Sequence, residues 1–133
     1  MGETVRFDFR FAESREALAS TGLYLIPGWA AWVGWLFAIA PLEGQDLVYT
    51  FDDEGLRGRM PTWELFQSWA GVDRLIDRDA FFCVVAGNAA YYIPARAFSS
   101  PDVRAALVGR ALDRLTPAAR ARSRVRSVAR PAA

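Results

Sequence analysis

Acidic side chains set side by side or next to arginine are the first place to look for chemistry in this chain. They occur at Asp52-Asp53-Glu54, Asp73-Arg74 and Asp77-Arg78-Asp79. Two carboxylates can divide acid and base roles when their surroundings drive their pKa values apart. Three acids in a row also invite a Ca²⁺ reading, but their spacing does not fit an EF-hand loop. A turn that ends on Gly55 accounts for them as a solvated tip. The Asp-Arg runs read as solvated surface pairs. Cys83 is the only cysteine and lies in the apolar run Phe81-Phe82-Cys83-Val84-Val85. Nothing in that run lowers a thiol pKa, so an inert buried side chain is expected rather than a nucleophile. The chain has no histidine, so it lacks the usual base for a serine or cysteine nucleophile and the commonest zinc ligand. Neither a Walker A nor a dinucleotide-binding glycine pattern is present. The residues predict a protein that is not an enzyme and uses no cofactor or metal.

Arginine offers binding chemistry instead. All 16 basic residues are Arg, whose planar guanidinium suits phosphate and carboxylate. Residues 1–116 hold 11 Arg against 15 acids, and residues 117–133 hold five Arg and no acid. Arg120, Arg122, Arg124, Arg126 and Arg130 therefore form a basic tail of net +5 on a body of net −4. Beside an anionic leaflet each is worth about 1 kcal/mol at low salt. Arg96, in Ile93-Pro94-Ala95-Arg96-Ala97-Phe98, is a further candidate for a headgroup phosphate, with a plain surface Arg as the alternative. The acidic body lacks the aromatic-interleaved basic face of a nucleic-acid binder, so no nucleic-acid partner is expected. The tail has too few apolar residues to fold by itself and reads as disordered.

The element that dominates the N-terminal third has no charge at all. Residues 17–42 read ALASTGLYLIPGWAAWVGWLFAIAPL. As one helix they would measure roughly 39 Å, against about 30 Å of bilayer hydrocarbon. Pro27-Gly28 breaks the run into halves that each fall short of a span. Trp29, Trp32 and Trp35 recur every third residue near its middle, whereas membrane Trp prefers the interfaces. They read as packing or membrane anchors, with a ligand-stacking platform as the alternative. A membrane span or shallow membrane hairpin is the leading expectation. The competing one is an apolar helix buried against a sheet or an oligomer partner. The opening residues, 1–20, mix acids with Arg and do not read as a signal peptide.

Around that segment the periodicity changes to two. Val5, Phe7, Phe9 and Phe11 alternate with Thr4, Arg6, Asp8 and Arg10, which predicts a half-buried strand. Residues 46–60 read as a hairpin with a left-handed Gly55 at its turn. Residues 61–79 suit a strand, a short helical turn and another strand. Residues 80–93 read as a second hairpin about Gly87-Asn88. Ser99 or Ser100, Pro101 and Asp102 then open a helix. Val103, Ala106, Leu107, Ala111, Leu112 and Leu115 form its apolar stripe, and Thr116-Pro117 stops it.

Three motifs in this order resemble the YcxB-like family of small bacterial membrane proteins of undefined function. They are Tyr49-Thr-Phe-Asp-Asp-Glu-Gly-Leu56, Trp69-Ala-Gly-Val-Asp-Arg-Leu75 and Tyr92-Ile-Pro-Ala-Arg-Ala-Phe98. The resemblance covers roughly residues 4–115. It implies an N-terminal strand, a membrane hairpin and a C-terminal domain of pleckstrin-homology-like character. This chain departs from the family in its apolar stretch, which is too short for two full helices. The combined expectation is an α+β chain divided as 1–16, 17–42, 45–116 and 117–133. It has an N-terminal strand, an apolar helix or helical hairpin, and an antiparallel sheet of about 4–5 strands packed by a C-terminal helix. The expected function is a non-catalytic module anchored in the inner membrane, with its domain in the cytoplasm, binding the bilayer, lipid headgroups or a protein partner. The alternative is a soluble homo-oligomer whose apolar helix forms the subunit interface and whose sheet binds a small ligand or partner.

Overall fold

Alternation in the first strand decides how the chain is organised. The computed structural model describes residues 3–8, 10, 44–61, 63–87 and 89–126. In β1 (Glu3–Asp8) Val5 and Phe7 are buried while Thr4 and Arg6 are exposed, because successive side chains point to opposite faces. β1 pairs antiparallel with β2 (Asp46–Phe51), placing Val5 opposite Tyr49 and Asp8 opposite Asp46. β3 (Gly55–Met60) and β4 (Trp63–Ser68) continue the sheet in the order β1-β2-β3-β4. A 3₁₀ turn at Trp69–Gly71 leads to a second antiparallel sheet of β5 (Arg74–Asp77), β6 (Phe81–Ala86) and β7 (Ala89–Pro94). The chain is thus α+β, and among the described residues the strands divide into sheets of four and three where a single sheet of about 4–5 was expected.

The two sheets enclose one core. Phe51 meets Phe82 with ring centroids 6.4 Å apart, and Phe7 meets Tyr92 edge-on at 6.0 Å. All six residues of β6 are buried, which explains why this strand reads as a continuous apolar run rather than an alternating one. Helix α1 (Pro101–Arg114) starts as its sequence predicts: Ser100 Oγ accepts from Val103 N–H at 3.1 Å, with Pro101 in the first turn. Its buried side is Leu107, Val108 and Ala111, followed by Leu115. Val103 and Ala106, expected on that stripe, are exposed, and Val108 takes their place.

Gly55 serves a different purpose from the one expected. Its φ is not positive; among the described residues the positive-φ glycines are Gly44 and Gly87. The turn is closed instead by Asp52, whose Oδ1 accepts from the Glu54 and Gly55 N–H groups, each at 2.9 Å. Gly55 is needed because a Cβ there would lie 2.1 Å from the Gln67 carbonyl oxygen on β4. Gly87, at φ +57°, makes the second hairpin turn as the sequence predicts.

The tail is the clearest departure. Residues 117–126 are not a disordered extension. Thr116 Oγ1 accepts from Ala119 N–H at 3.2 Å and caps helix α2 (Pro117–Arg122). Ala119 is fully buried. Arg124 then lies parallel to Ile76: its N–H donates to the Leu75 carbonyl at 2.9 Å, and its carbonyl accepts from Asp77 N–H at 2.8 Å. Order here comes from backbone bonds to an open sheet edge, which amino-acid composition does not register.

The expectation of a transmembrane helix, and with it an inner-membrane location, also needs correction. Among the described residues no helix is long and apolar enough to cross a membrane. The segment 17–42, with Trp29, Trp32 and Trp35, lies outside the described residues, as does Arg130. The register adds a physical reason against a single crossing. Asp8 and Asp46 are cross-strand partners, so the end of β1 and the start of β2 lie side by side at one end of the sheet. A single crossing would put its two ends on opposite sides of a bilayer.

Candidate functional site

The arginines singled out from sequence are dispersed, and most are engaged with the fold. Arg96 follows β7 in a 3₁₀ turn, Ala95–Ala97, and reaches β1. Its Nη1 donates to Asp8 Oδ1 at 2.7 Å and its Nη2 to the Asp8 carbonyl at 2.6 Å. Arg10 holds the other carboxylate oxygen at 2.9 Å. Hydrogen bonds from Arg10, foremost, and from Arg96 hold the Asp8 carboxyl below the usual carboxylate value. Arg120 covers the C-terminal end of α1, donating to the carbonyls of Leu112 at 3.2 Å and Asp113 at 3.1 Å. Arg122 donates to the Asp73 carbonyl at 3.1 Å. Arg124 and Arg126 sit on the β5 edge, where Arg126 N–H donates to Asp77 Oδ2 at 3.1 Å. These residues tie the tail to the body rather than form one basic face.

Asp77 is buried, 1 % exposed, and not the solvated residue expected from its Asp-Arg-Asp run. Its partner comes from α1: Arg104 Nη2 donates to Asp77 Oδ1 at 2.6 Å. The same guanidinium donates to the carbonyls of Arg78, Asp79 and Phe81. A buried charge pair requires such complete satisfaction. Asp77 therefore joins β5, α1 and the tail, which is structural work. The Cys83 thiol is fully buried, and burial pushes its pKa up to about 12, as expected of an inert thiol. Among the described residues no cluster of His, Cys, Asp or Glu is placed to hold a metal ion.

One surface combines concavity, an exposed aromatic ring and uncommitted charge. It is the outer face of the four-stranded sheet. The registers place Arg6, Val48, Arg59 and Glu64 in one row across it, and Thr4, Thr50, Arg57 and Phe66 in the next. Thr4 and Thr50 hydroxyls approach to 3.5 Å, as row neighbours should. Between the rows a cavity of about 450 Å³ opens over β2, β3 and β4. Phe66 is 49 % exposed.

Arg57 forms one wall and is held in place. Its Cζ lies 4.5 Å from the Phe66 ring centroid, a cation–π geometry. Its Nε donates to Asp52 Oδ2 and its Nη2 to Glu54 Oε2, each at 2.9 Å. The bond from Arg57 is the main reason the Asp52 carboxyl sits below its ordinary pKa. Asp52 is in turn fixed from behind, because its carbonyl accepts from Trp69 Nε1–H at 2.7 Å. Asp53 pairs with Arg114 of α1 at 2.7 Å, so every acid of this exposed tip has an arginine partner. Arg6 and Arg59 are different: among the described residues no carboxylate lies within ion-pair distance of either. Sequence reasoning missed this face. Its signal is the outward half of the strand alternation, Arg6 and Arg57 with Arg59, which becomes a surface only once the strand order is known.

No family model matches the chain, and neither a curated protein nor a solved structure does.

Proposed function

We propose that this chain is a non-catalytic binding module of pleckstrin-homology-like architecture, related to the YcxB-like family, and that it docks a protein partner on the outer face of its four-stranded sheet. The architecture is supported by sheets of four and three antiparallel strands followed by a C-terminal helix. The binding role rests above all on Phe66, an exposed aromatic ring held by Arg57 at the wall of a cavity. Interface anchors are typically aromatic and Arg side chains in such settings. The non-catalytic reading is supported by the absence of histidine and the burial of the single thiol.

A photo-crosslinking residue placed at position 66 and expressed in cells tests the site. A discrete adduct with another protein is expected there, and none from the same residue at exposed position 102. An adduct of twice the chain's mass would show that a second copy occupies the face. Equal labelling from both positions, or none from position 66, would contradict the proposal.

A further inference from the structure

The uncommitted charges on this face say what its occupant carries. We infer that the partner presents an extended acidic segment with an apolar anchor, its carboxylates meeting Arg6 and Arg59 while the anchor enters the cavity beside Phe66. This inference rests on the docking role proposed above and specifies its chemistry.

Arg6 on β1 and Arg59 on β3 flank Val48 on β2. Neighbouring strands lie about 4.8 Å apart, so the two arginines are rooted roughly 10 Å apart across an apolar floor. Carboxylates two residues apart on one face of an extended segment are separated by about 7 Å. Both fall within reach of two long arginine side chains. Planar guanidinium groups that are not already neutralised suit bidentate bonds to carboxylates. Arg57 cannot serve in the same way, since Asp52 and Glu54 already occupy it.

Glu64 gives the arrangement a direction. It stands beside Arg59 at the β4 end of the row and would repel a carboxylate placed there. The acidic part of the partner is therefore steered toward β1–β3, and its apolar part toward Phe66 and Leu65, which line the cavity with Val48. A polyanion fits this face less well. Its repeating charges would meet Glu64 and the acidic tip at Asp52-Asp53-Glu54, and among the described residues of this face only Arg6 and Arg59 are uncommitted to answer them.

Peptides of about 12 residues displayed on phage, selected on the whole protein, test the inference without a known ligand. Recovered sequences are expected to carry Asp or Glu around an aromatic or aliphatic residue. Their affinity should fall about tenfold or more with Arg59→Glu or Arg6→Glu, and rise about threefold with Glu64→Gln. The last variant improves binding, so misfolding cannot imitate it. Sequences without acidic enrichment that are nonetheless lost with Phe66→Ser would overturn the acidic partner while leaving the docking face intact. Peptides indifferent to all four substitutions would overturn both readings. Stronger retention of anionic phospholipid vesicles or single-stranded RNA than of the acidic peptides, sensitive to Arg59→Glu, would also overturn the inference.

Discussion

Asp77 illustrates how a residue's neighbours in sequence can mislead. Beside Arg78 and Asp79 it reads as one charge among several in water. Its partner, Arg104, is 27 positions away on α1, and pairing removes it from solvent. Replacing Asp77 by Ala leaves a buried guanidinium without its carboxylate and frees Arg126 N–H. The expected loss is about 3–5 kcal/mol of stability, read from urea unfolding. Asp8 and Asp52 operate in the opposite setting, near the surface. Arginine partners lower both pKa values in the folded state. A carboxylate with a depressed folded-state pKa contributes stability that is fully present above its unfolded value and is lost as pH falls through the folded one. Stability should therefore decline in acid below about pH 4. Asp52→Asn should flatten that decline, measured by denaturant unfolding across a pH series at low salt. Because both groups are well solvated, added salt should shrink the effect.

At the scale of elements, legibility followed periodicity. β1, the first hairpin and α1 repeat at two or 3.6 residues, and the second hairpin is marked by its Gly87-Asn88 turn between apolar runs, so all four are found from sequence alone. Even there, tertiary packing adjusted the detail: α1 turns enough to bury Val108 and expose Val103. The segment 117–126 has no such period. It is ordered by one buried alanine, a Ser123 side chain and the edge of β5, none of which leaves a pattern. Ser123 Oγ accepts from Leu75 N–H at 2.9 Å and donates to the Ala119 carbonyl at 2.8 Å. Ser123→Ala should cost about 1 kcal/mol, and Thr116→Ala at the α2 cap a similar amount. Hydrogen exchange provides the direct check. The amides of Asp77 and Arg124 should be protected together and lose protection together in Ser123→Ala. Rapid exchange at Arg124 in the unaltered protein would contradict a docked strap.

For the whole molecule, strand order converts scattered residues into a surface. Arg6 and Arg59 lie more than fifty positions apart in sequence, and only the β1-β2-β3-β4 order makes them neighbours on one row. The candidate site was illegible for that reason. Sequence reasoning looked for binding chemistry where arginine is dense, in the tail, and there the side chains and backbone largely secure the fold. The fold class was legible because alternation and capping are local, while the division into two sheets falls at the Trp69–Gly71 turn, after which β5 pairs with β6 and not with β4. The proposed docking role places binding on the outer face of the four-stranded sheet and not on the arginine-rich C-terminal segment. Backbone amide shift mapping during titration with an acidic, aromatic-anchored peptide tests this most directly. Perturbations centred on Arg6, Val48, Thr50, Arg59 and Phe66, and abolished by Arg59→Glu, are the predicted result. Perturbations centred on residues 120–126, with that face silent, would contradict it.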